Sequence, residues 1–327
     1  MAPDGEELQA TAKRYRHFAT VEAHGASPAY ERLALAVARA PDLLAFLSSM
    51  PPDRRQPNLF LAALRHIGGV PADASAMKAI VRTEAARLRD IMLSRTTQTN
   101  EPARCAVLLP ILGALRQPLA LIEVGTSAGL CLLPDRYGYD YGRHRLEPPG
   151  PTSAPIFPCC ASPATPLPLA LPKVAWRCGL DLNPLDINAP DQMAWLETLV
   201  WPGCEARAGN LKAAMQIARA QPPPVVRGDL RRDLPALIAR APKGLQLVVY
   251  HSAVLGYLQS ASERGAFVRR VRQFDAVWIS NEAPSVFPEL AKASPPRRTS
   301  DQFLLAVDGK PVAWTGPHGQ SITWFAT

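Results

Sequence analysis

The segment 119–130 holds the residue types best suited to binding a ligand. It reads LALIEVGTSAGL, so an apolar run ends at Glu123 and is followed by Gly125, Ser127 and Gly129. Glycines at such a point permit a tight turn and let a ligand approach the backbone. An acidic side chain at a strand end can accept hydrogen bonds from an amine or a hydroxyl group. The pattern predicts a buried strand, a glycine-rich turn leading to a helix, and a ligand-binding edge; the alternative is an ordinary strand–turn–helix unit.

Two more acids stand at comparable points further along the chain. Asp181 and Asp229 each follow a short apolar run, and Leu230 comes directly after Asp229. Each acid alone is typical of a helix N-cap. If the runs are parallel strands, however, Glu123, Asp181 and Asp229 lie at one edge of the sheet, where such sheets bind nucleotide ligands. We therefore predict that Asp181 binds a ribose. That Asp229 and Leu230 bind an adenine is what the resemblance to methyltransferases, given below, implies.

A histidine follows the fourth apolar run, in the sequence Tyr250-His251-Ser252. Because the pKa of an imidazole lies near neutrality, a histidine at this edge is a candidate general base. The resemblance to methyltransferases, given below, implies that this position faces the substrate, so we expect Tyr250 to bind the substrate and His251 to be the catalytic residue. The alternative is that His251 caps the next helix or fills a satisfied polar niche.

Asn100 and Glu101 begin a predicted helix, 101–116, that leads into the first strand. If the start of this helix lies over the ligand, both residues are candidates for substrate binding. Otherwise Asn100 is a helix cap, and Glu101 pairs with Arg104 at the surface.

The glycine-rich segment also fits a second class of enzyme. Gly125-Thr126-Ser127-Ala128-Gly129 matches the G-x-S-x-G nucleophile elbow of serine hydrolases, and His251 lies downstream as the order of a catalytic triad demands. Asp181 or Asp229 would then orient the histidine. Topology opposes this interpretation, because an elbow follows several strands, whereas only helices are predicted before the strand that leads to Ser127.

The elements that must position these residues change in character at residue 118. Apolar residues at helical spacing predict an all-helical cap domain over 1–118, in which 75–95 is one helix. Over 119–327, short apolar runs, among them 119–124 and 174–180, alternate with helical segments, which predicts an α/β domain with a doubly wound parallel sheet. The segments 302–314 and 319–326 near the end of the chain are predicted strands without a helix between them. Asp308-Gly309, within the first segment, is a good hairpin turn, so we expect the sheet to finish in an antiparallel hairpin. A Pro-rich insertion at 143–172 separates the first two parallel strands and explains why Asp181 comes so late.

Composition excludes several classes of protein. The 327 residues are 47% hydrophobic and contain no apolar run long enough to span a bilayer, so we expect neither disorder nor an integral membrane protein. The N-terminal sequence is not a secretory signal, which predicts a cytoplasmic protein. The net charge of +8 is spread evenly along the chain, so we expect no specific nucleic-acid partner. The six cysteines form no CxxC pair, and no metal site is predicted.

Seven sequence pieces resemble the bacterial family known as domain of unknown function 2332. They are RQPNLF (55–60), QTNEPARC (98–105), EVGTSAGLCLLPDRYGYDYG (123–142), GLDLNPLDI (179–187), LVWP (199–202), VVYHSAVLGYL (248–258) and WISNEAP (278–284). The resemblance implies a class I methyltransferase-like core, and the loop at Glu123 is similar to the E/D-x-G-x-x-x-G loop that binds S-adenosylmethionine. The expected function is methyl transfer from S-adenosylmethionine to a small or medium-sized acceptor. A non-catalytic protein that binds this cofactor or another nucleotide is the alternative.

Overall fold

The computed structural model describes residues 5–148 and 154–326. Parts of three sequence-based predictions lie outside these residues: 1–4 of the helical cap, 149–153 of the Pro-rich insertion, and 327 at the end of the α/β domain. The chain forms two compact units. The first comprises the residues up to Thr99 together with Asp191–Gly209, and the second comprises Asn100–Pro190 with Asn210–Thr327. This division differs from one at residue 118, because the segment 100–118 belongs to the second unit.

The helices of the described residues begin predominantly at prolines or capped positions, as the sequence indicates. Ser27 and Asp73 cap two of them by accepting a backbone N–H three residues on. No helix among these residues is both long and apolar enough to cross a membrane. The helices are α1 (Gly5–His17), α2 (Pro28–Val37), α3 (Pro41–Ser48), α4 (Pro57–Gly68), α5 (Ala74–Thr83), α6 (Ala85–Ser94), α7 (Cys105–Ala114), α8 (Pro190–Thr198), α9 (Glu205–Ala220), α10 (Leu234–Ile238), α11 (Ala261–Val271) and α12 (Pro288–Lys292).

The strands lie in the second unit. They are β1 (Leu119–Val124), β2 (Gly138–Asp140), β3 (Arg145–Leu146), β4 (Ile156–Pro158), β5 (Cys160–Ala161), β6 (Val174–Asp181), β7 (Val225–Arg227), β8 (Gln246–Ser252), β9 (Val277–Glu282), β10 (Phe303–Val307), β11 (Lys310–Thr315) and β12 (Ser321–Trp324).

The first unit is helical and differs from the sequence-based prediction at one point. The predicted helix over 75–95 is two helices, α5 and α6, because Glu84 leaves helical geometry with φ −119° and ψ 21°. Apolar side chains from α1 to α6 form one buried core, to which Trp195 and Leu199 contribute from Asp191–Gly209.

The second unit is a mixed α/β structure built on a large, mostly parallel sheet. Nine strands pair in the order β5-β12-β11-β10-β9-β8-β1-β6-β7. Strands β7, β6, β1, β8 and β9 are parallel neighbours, whereas β9 to β12 form an antiparallel meander. All six residues of β1 are buried, as expected of an apolar strand between two parallel partners. Both residues of the β10–β11 turn have positive φ, Asp308 at 50° and Gly309 at 75°, which confirms the predicted hairpin turn.

The connection from β1 to β6 differs from the prediction. No α-helix follows the glycine-rich turn within 125–148 or 154–173; instead there are two short 3₁₀ turns, Leu130–Leu132 and Pro134–Arg136. Gly129 has a left-handed backbone (φ 77°), and Pro134 follows only five residues later, so no long helix fits between them. Strands β2, β3 and β4 form a small separate sheet in this connection. The expected helix N-terminus beside the turn is therefore absent from these residues.

Candidate functional site

Glu123 occupies the carboxyl end of the central strand β1 and is only 4% exposed. The Thr126 hydroxyl lies 2.5 Å from its Oε2 atom. Burial raises the pKa of Glu123 to about 8; the hydrogen bond from Thr126 and the Arg104 charge oppose this rise, and the Asp181 charge adds to it. The side chain is therefore mainly a neutral carboxyl at pH 7, able both to donate and to accept hydrogen bonds.

Ser127 has an unusual backbone and a buried hydroxyl. Its φ is 55°, a left-handed value that non-glycine residues rarely adopt. Two neighbours hold it there: its N–H donates to Oδ2 of Asp181 at 2.8 Å, and its carbonyl accepts the Leu185 N–H at 3.2 Å. The Ser127 Oγ atom is buried and has no hydrogen-bond partner among the described residues. Such unsatisfied groups and strained residues are concentrated at functional sites.

Asp181 ends β6, next to β1, and connects two turns at the carboxyl edge of the sheet. Its Oδ2 atom accepts the Ser127 N–H, and its Oδ1 atom accepts the Asn183 N–H at 2.7 Å. Its carbonyl accepts the N–H of Gly228, which follows β7. The structure thus brings Glu123 and Asp181 together on adjacent strands. Both carboxylate oxygens of Asp181 thus already accept backbone N–H groups. To bind a ribose as predicted, Asp181 would have to use these same oxygens.

Asp229 lies beyond β7 at the same edge and is engaged by Arg231. The Arg231 Nη2 atom is 2.7 Å from its Oδ2 atom, and this guanidinium lowers the pKa of Asp229. Arg231 also pairs with Glu263 at 3.0 Å. Leu230 packs against the core of the second unit. The predicted contacts of Asp229 and Leu230 with an adenine stay predictions.

The glycines of the turn are crowded by the protein itself. A Cβ atom on Gly125 would lie 2.3 Å from Cγ2 of Val254, and one on Gly129 would lie 2.7 Å from Cγ of Pro223. Both residues also have positive φ. Side chains of this chain therefore fill the space beside the backbone of these two glycines. This agrees with the alternative of an ordinary turn.

His251 is completely buried, and both of its ring nitrogens are engaged. Its Nδ1 atom is 2.6 Å from Oε1 of Glu282, and the Trp278 Nε1–H donates to its Nε2 atom at 3.0 Å. These partners assign the ring as the neutral Nδ1–H tautomer. Neither nitrogen can take a proton from a substrate or from Ser127 in this arrangement. The geometry supports neither the general-base interpretation of His251 nor the serine hydrolase interpretation; it matches the satisfied polar niche.

Glu282 is the residue of this network that the sequence interpretation missed. It ends β9, is buried, and accepts the N–H groups of Val254 and Leu255 besides the bond with His251. The signal that would have identified it is the one used for Glu123 and Asp181, an acid at the end of an apolar strand.

Tyr250 and Asn100 both bind the backbone that follows the glycine-rich turn. The Tyr250 hydroxyl donates to the Cys131 carbonyl at 2.8 Å, and burial raises its pKa well above the usual range. The Asn100 Oδ1 atom accepts the Leu130 N–H at 2.9 Å. The structure therefore places both residues beside the turn, where their polar side chains are occupied by the protein.

Glu101 and Arg104 are buried rather than exposed. The Glu101 Oε1 atom accepts the Ala103 N–H at 3.3 Å, as a capping residue does. Arg104 donates from Nε to the Pro317 carbonyl at 2.8 Å and from Nη1 to the Ser252 carbonyl at 3.1 Å. The described residues offer Arg104 no carboxylate ion pair, so the expected surface pair with Glu101 is not formed.

The described residues contain no group of three His, Cys, Asp or Glu side chains placed to hold a metal ion.

The family described as uncharacterized protein conserved in bacteria (DUF2332) matches residues 12–324, and the chain belongs to this family. No curated protein and no solved structure matches the chain.

Proposed function

We propose that this member of the family binds S-adenosylmethionine at the carboxyl edge of β1 and β6 and transfers its methyl group to a small or medium-sized acceptor. The observation that carries the proposal is the cluster of Glu123, Ser127 and Asp181. It combines a buried, mainly neutral carboxyl with a strained serine whose hydroxyl lacks a partner. Groups perturbed in this way are typical of ligand sites.

The order of the parallel strands supports this location. In the order β7-β6-β1-β8-β9, the chain leaves β1 towards β6 on one side and reaches β8 on the other. This is the strand order of doubly wound nucleotide-binding sheets, which bind ligands outside the carboxyl ends at such a switch point.

Each residue of the cluster has a chemical role in the proposal. Glu123 and the Ser127 hydroxyl would bind the amino-acid part of the cofactor, Asp181 the ribose, and Asp229 with Leu230 the adenine. The bound cofactor supplies an electrophilic methyl group. The chain contributes chiefly by aligning the acceptor with this group and by excluding water, because His251 has no nitrogen free to act as a base.

A binding protein without catalytic activity is the second candidate. The engagement of His251 by Glu282 and Trp278 favours it, because it removes the candidate base at the end of β8. Equal affinities for S-adenosylmethionine and S-adenosylhomocysteine, without turnover on any acceptor, would support this second function.

Calorimetric titration with S-adenosylmethionine tests the proposal. We expect binding to the wild type and weaker binding to Glu123→Gln, which keeps the shape of the side chain but cannot ionise. The matched control is Glu289→Gln, because Glu289 is an exposed carboxyl paired with Lys292 at 2.9 Å. Equal affinities of both variants would contradict the assignment of Glu123.

A further inference from the structure

Arg104 is a buried cation without an anionic partner. It is 8% exposed, and its hydrogen bonds go only to the carbonyls of Pro317 and Ser252. Its guanidinium also lies 5.9 Å from the centre of the Phe303 ring. Burying an ionised group is costly unless an opposite charge accompanies it. None of the described residues supplies an ion pair, which indicates that an anion from outside the chain completes the site.

The guanidinium retains the capacity to bind such an anion. It carries five N–H donors in a planar fork, and the two carbonyls use only two of them. The geometry of the fork suits a carboxylate or a phosphate oxygen pair.

A buried acid lies near the same guanidinium. Glu123 on β1 pairs with Tyr250 on β8, and Ser252, whose carbonyl accepts a hydrogen bond from Arg104, is two residues further along β8. Arg104 and Glu123 nevertheless form no ion pair. An amino-acid group carries one charge complementary to each of them.

We propose that Arg104 and Glu123 bind the two ends of an α-amino-acid group, with the carboxylate at Arg104 and the ammonium at Glu123. A bound ammonium favours the ionised form of the Glu123 carboxyl, which then releases its proton. A phosphate is disfavoured because its negative charges would oppose this ionisation and would meet no cation at Glu123. The inference rests on the proposed function, since S-adenosylmethionine carries such a group. It adds Arg104 as a ligand-binding residue and assigns the amino-acid end of the ligand to it.

Three probes separate the amino-acid end from the nucleoside end. S-adenosylhomocysteine has both ends, 5′-methylthioadenosine lacks the amino acid, and L-methionine lacks the nucleoside. We expect the wild type to bind S-adenosylhomocysteine at least about tenfold more tightly than 5′-methylthioadenosine. In Arg104→Gln and in Glu123→Gln, the ratio of these two affinities should fall towards one.

The matched control is Arg143→Gln. Arg143 also donates to two backbone carbonyls, those of Ser162 and Thr165, but is exposed. It should keep the wild-type preference. Because Arg104 also connects separate segments, thermal unfolding is recorded for each variant, and Glu123→Gln provides the test if Arg104→Gln does not fold.

The outcomes distinguish this inference from the proposed function. If both nucleosides bind the wild type equally, the inference is wrong while the proposed function stands. If neither nucleoside binds, the proposed function fails, and L-methionine decides the inference: binding that is lost in Arg104→Gln supports it, and absence of binding overturns it.

Discussion

The backbone N–H of Ser127 donates a 2.8 Å hydrogen bond to Oδ2 of Asp181 and so joins the turn after β1 to the end of β6. This bond and the Leu185 N–H hold Ser127 at φ 55°. The sheet thus supports a serine conformation that would otherwise be unfavourable by about 1–2 kcal/mol. Asp181 therefore positions Ser127, whatever else it binds.

Replacing the Ser127 hydroxyl should stabilise the protein. The Oγ atom is buried without a partner, so Ser127→Ala removes an unsatisfied group and should raise the free energy of unfolding by about 1 kcal/mol. The matched control is Ser252→Ala, because the Ser252 Oγ atom accepts a hydrogen bond from Asn281 at 3.0 Å. We expect this variant to lose about 1 kcal/mol. Urea denaturation measures both; equal losses would show that the Ser127 hydroxyl has a partner.

The Glu123 carboxyl should make stability depend on pH. Its folded pKa is about 8 against an ordinary value of 4.5, so between these values the folded chain holds a proton that the unfolded chain has released. The wild-type free energy of unfolding, relative to Glu123→Gln, should fall as pH rises through this window, by at most about 1.4 kcal/mol per pH unit.

Urea denaturation of the wild type and Glu123→Gln at about pH 6 and about pH 8 measures this slope. The free energy of unfolding of Glu123→Gln, relative to that of the wild type, should be larger at the higher pH. A difference in stability that stays constant between the two pH values would contradict a buried carboxyl that titrates near 8.

Crowding at Gly125 should make its substitution more harmful than that of a glycine with similar backbone geometry. Gly125 (φ 73°) faces Val254, whereas Gly142 (φ 76°) has open space where a Cβ would stand. Gly142→Ala should cost about 1 kcal/mol of unfolding free energy, and Gly125→Ala about 3 kcal/mol or more. Adding Val254→Ala to Gly125→Ala should recover part of the loss. Equal costs at the two glycines would refute close packing by Val254.

The Glu282 carboxylate should be important for stability and not for ligand binding. Glu282→Ala leaves the His251 imidazole and two backbone N–H groups without their acceptor, and we expect a loss of about 3 kcal/mol. The exposed Glu289→Ala should change stability by less than about 0.5 kcal/mol. A folded Glu282→Ala protein with wild-type stability would contradict the network.

The sequence predicts the parallel strands well because their signal is local. The run 119–124 coincides with β1, and 174–180 differs from β6 by one residue. An apolar segment bounded by polar or glycine residues is enough to identify a strand buried on both faces. The Asp308-Gly309 turn is equally local, because it depends only on residues that tolerate positive φ.

The errors arise where contacts distant in sequence decide the structure. Nothing local to His251 reveals that Trp278 and Glu282, from the neighbouring strand β9, occupy both ring nitrogens. Similarly, the glycines after β1 suggest space for a ligand, yet Val254 from the connection after β8 lies against Gly125. The alternative of a surface pair between Glu101 and Arg104 fails for the same reason, since the carbonyl partners of Arg104 lie far along the chain.

Titration calorimetry with S-adenosylmethionine and S-adenosylhomocysteine tests the central claim, a cofactor site at the carboxyl edge of β1 and β6. The account predicts saturable binding to the wild type and markedly weaker binding to Glu123→Ala and Asp181→Ala, each first shown to be folded. No heat of binding at millimolar ligand would contradict the account, as would wild-type affinity in both variants.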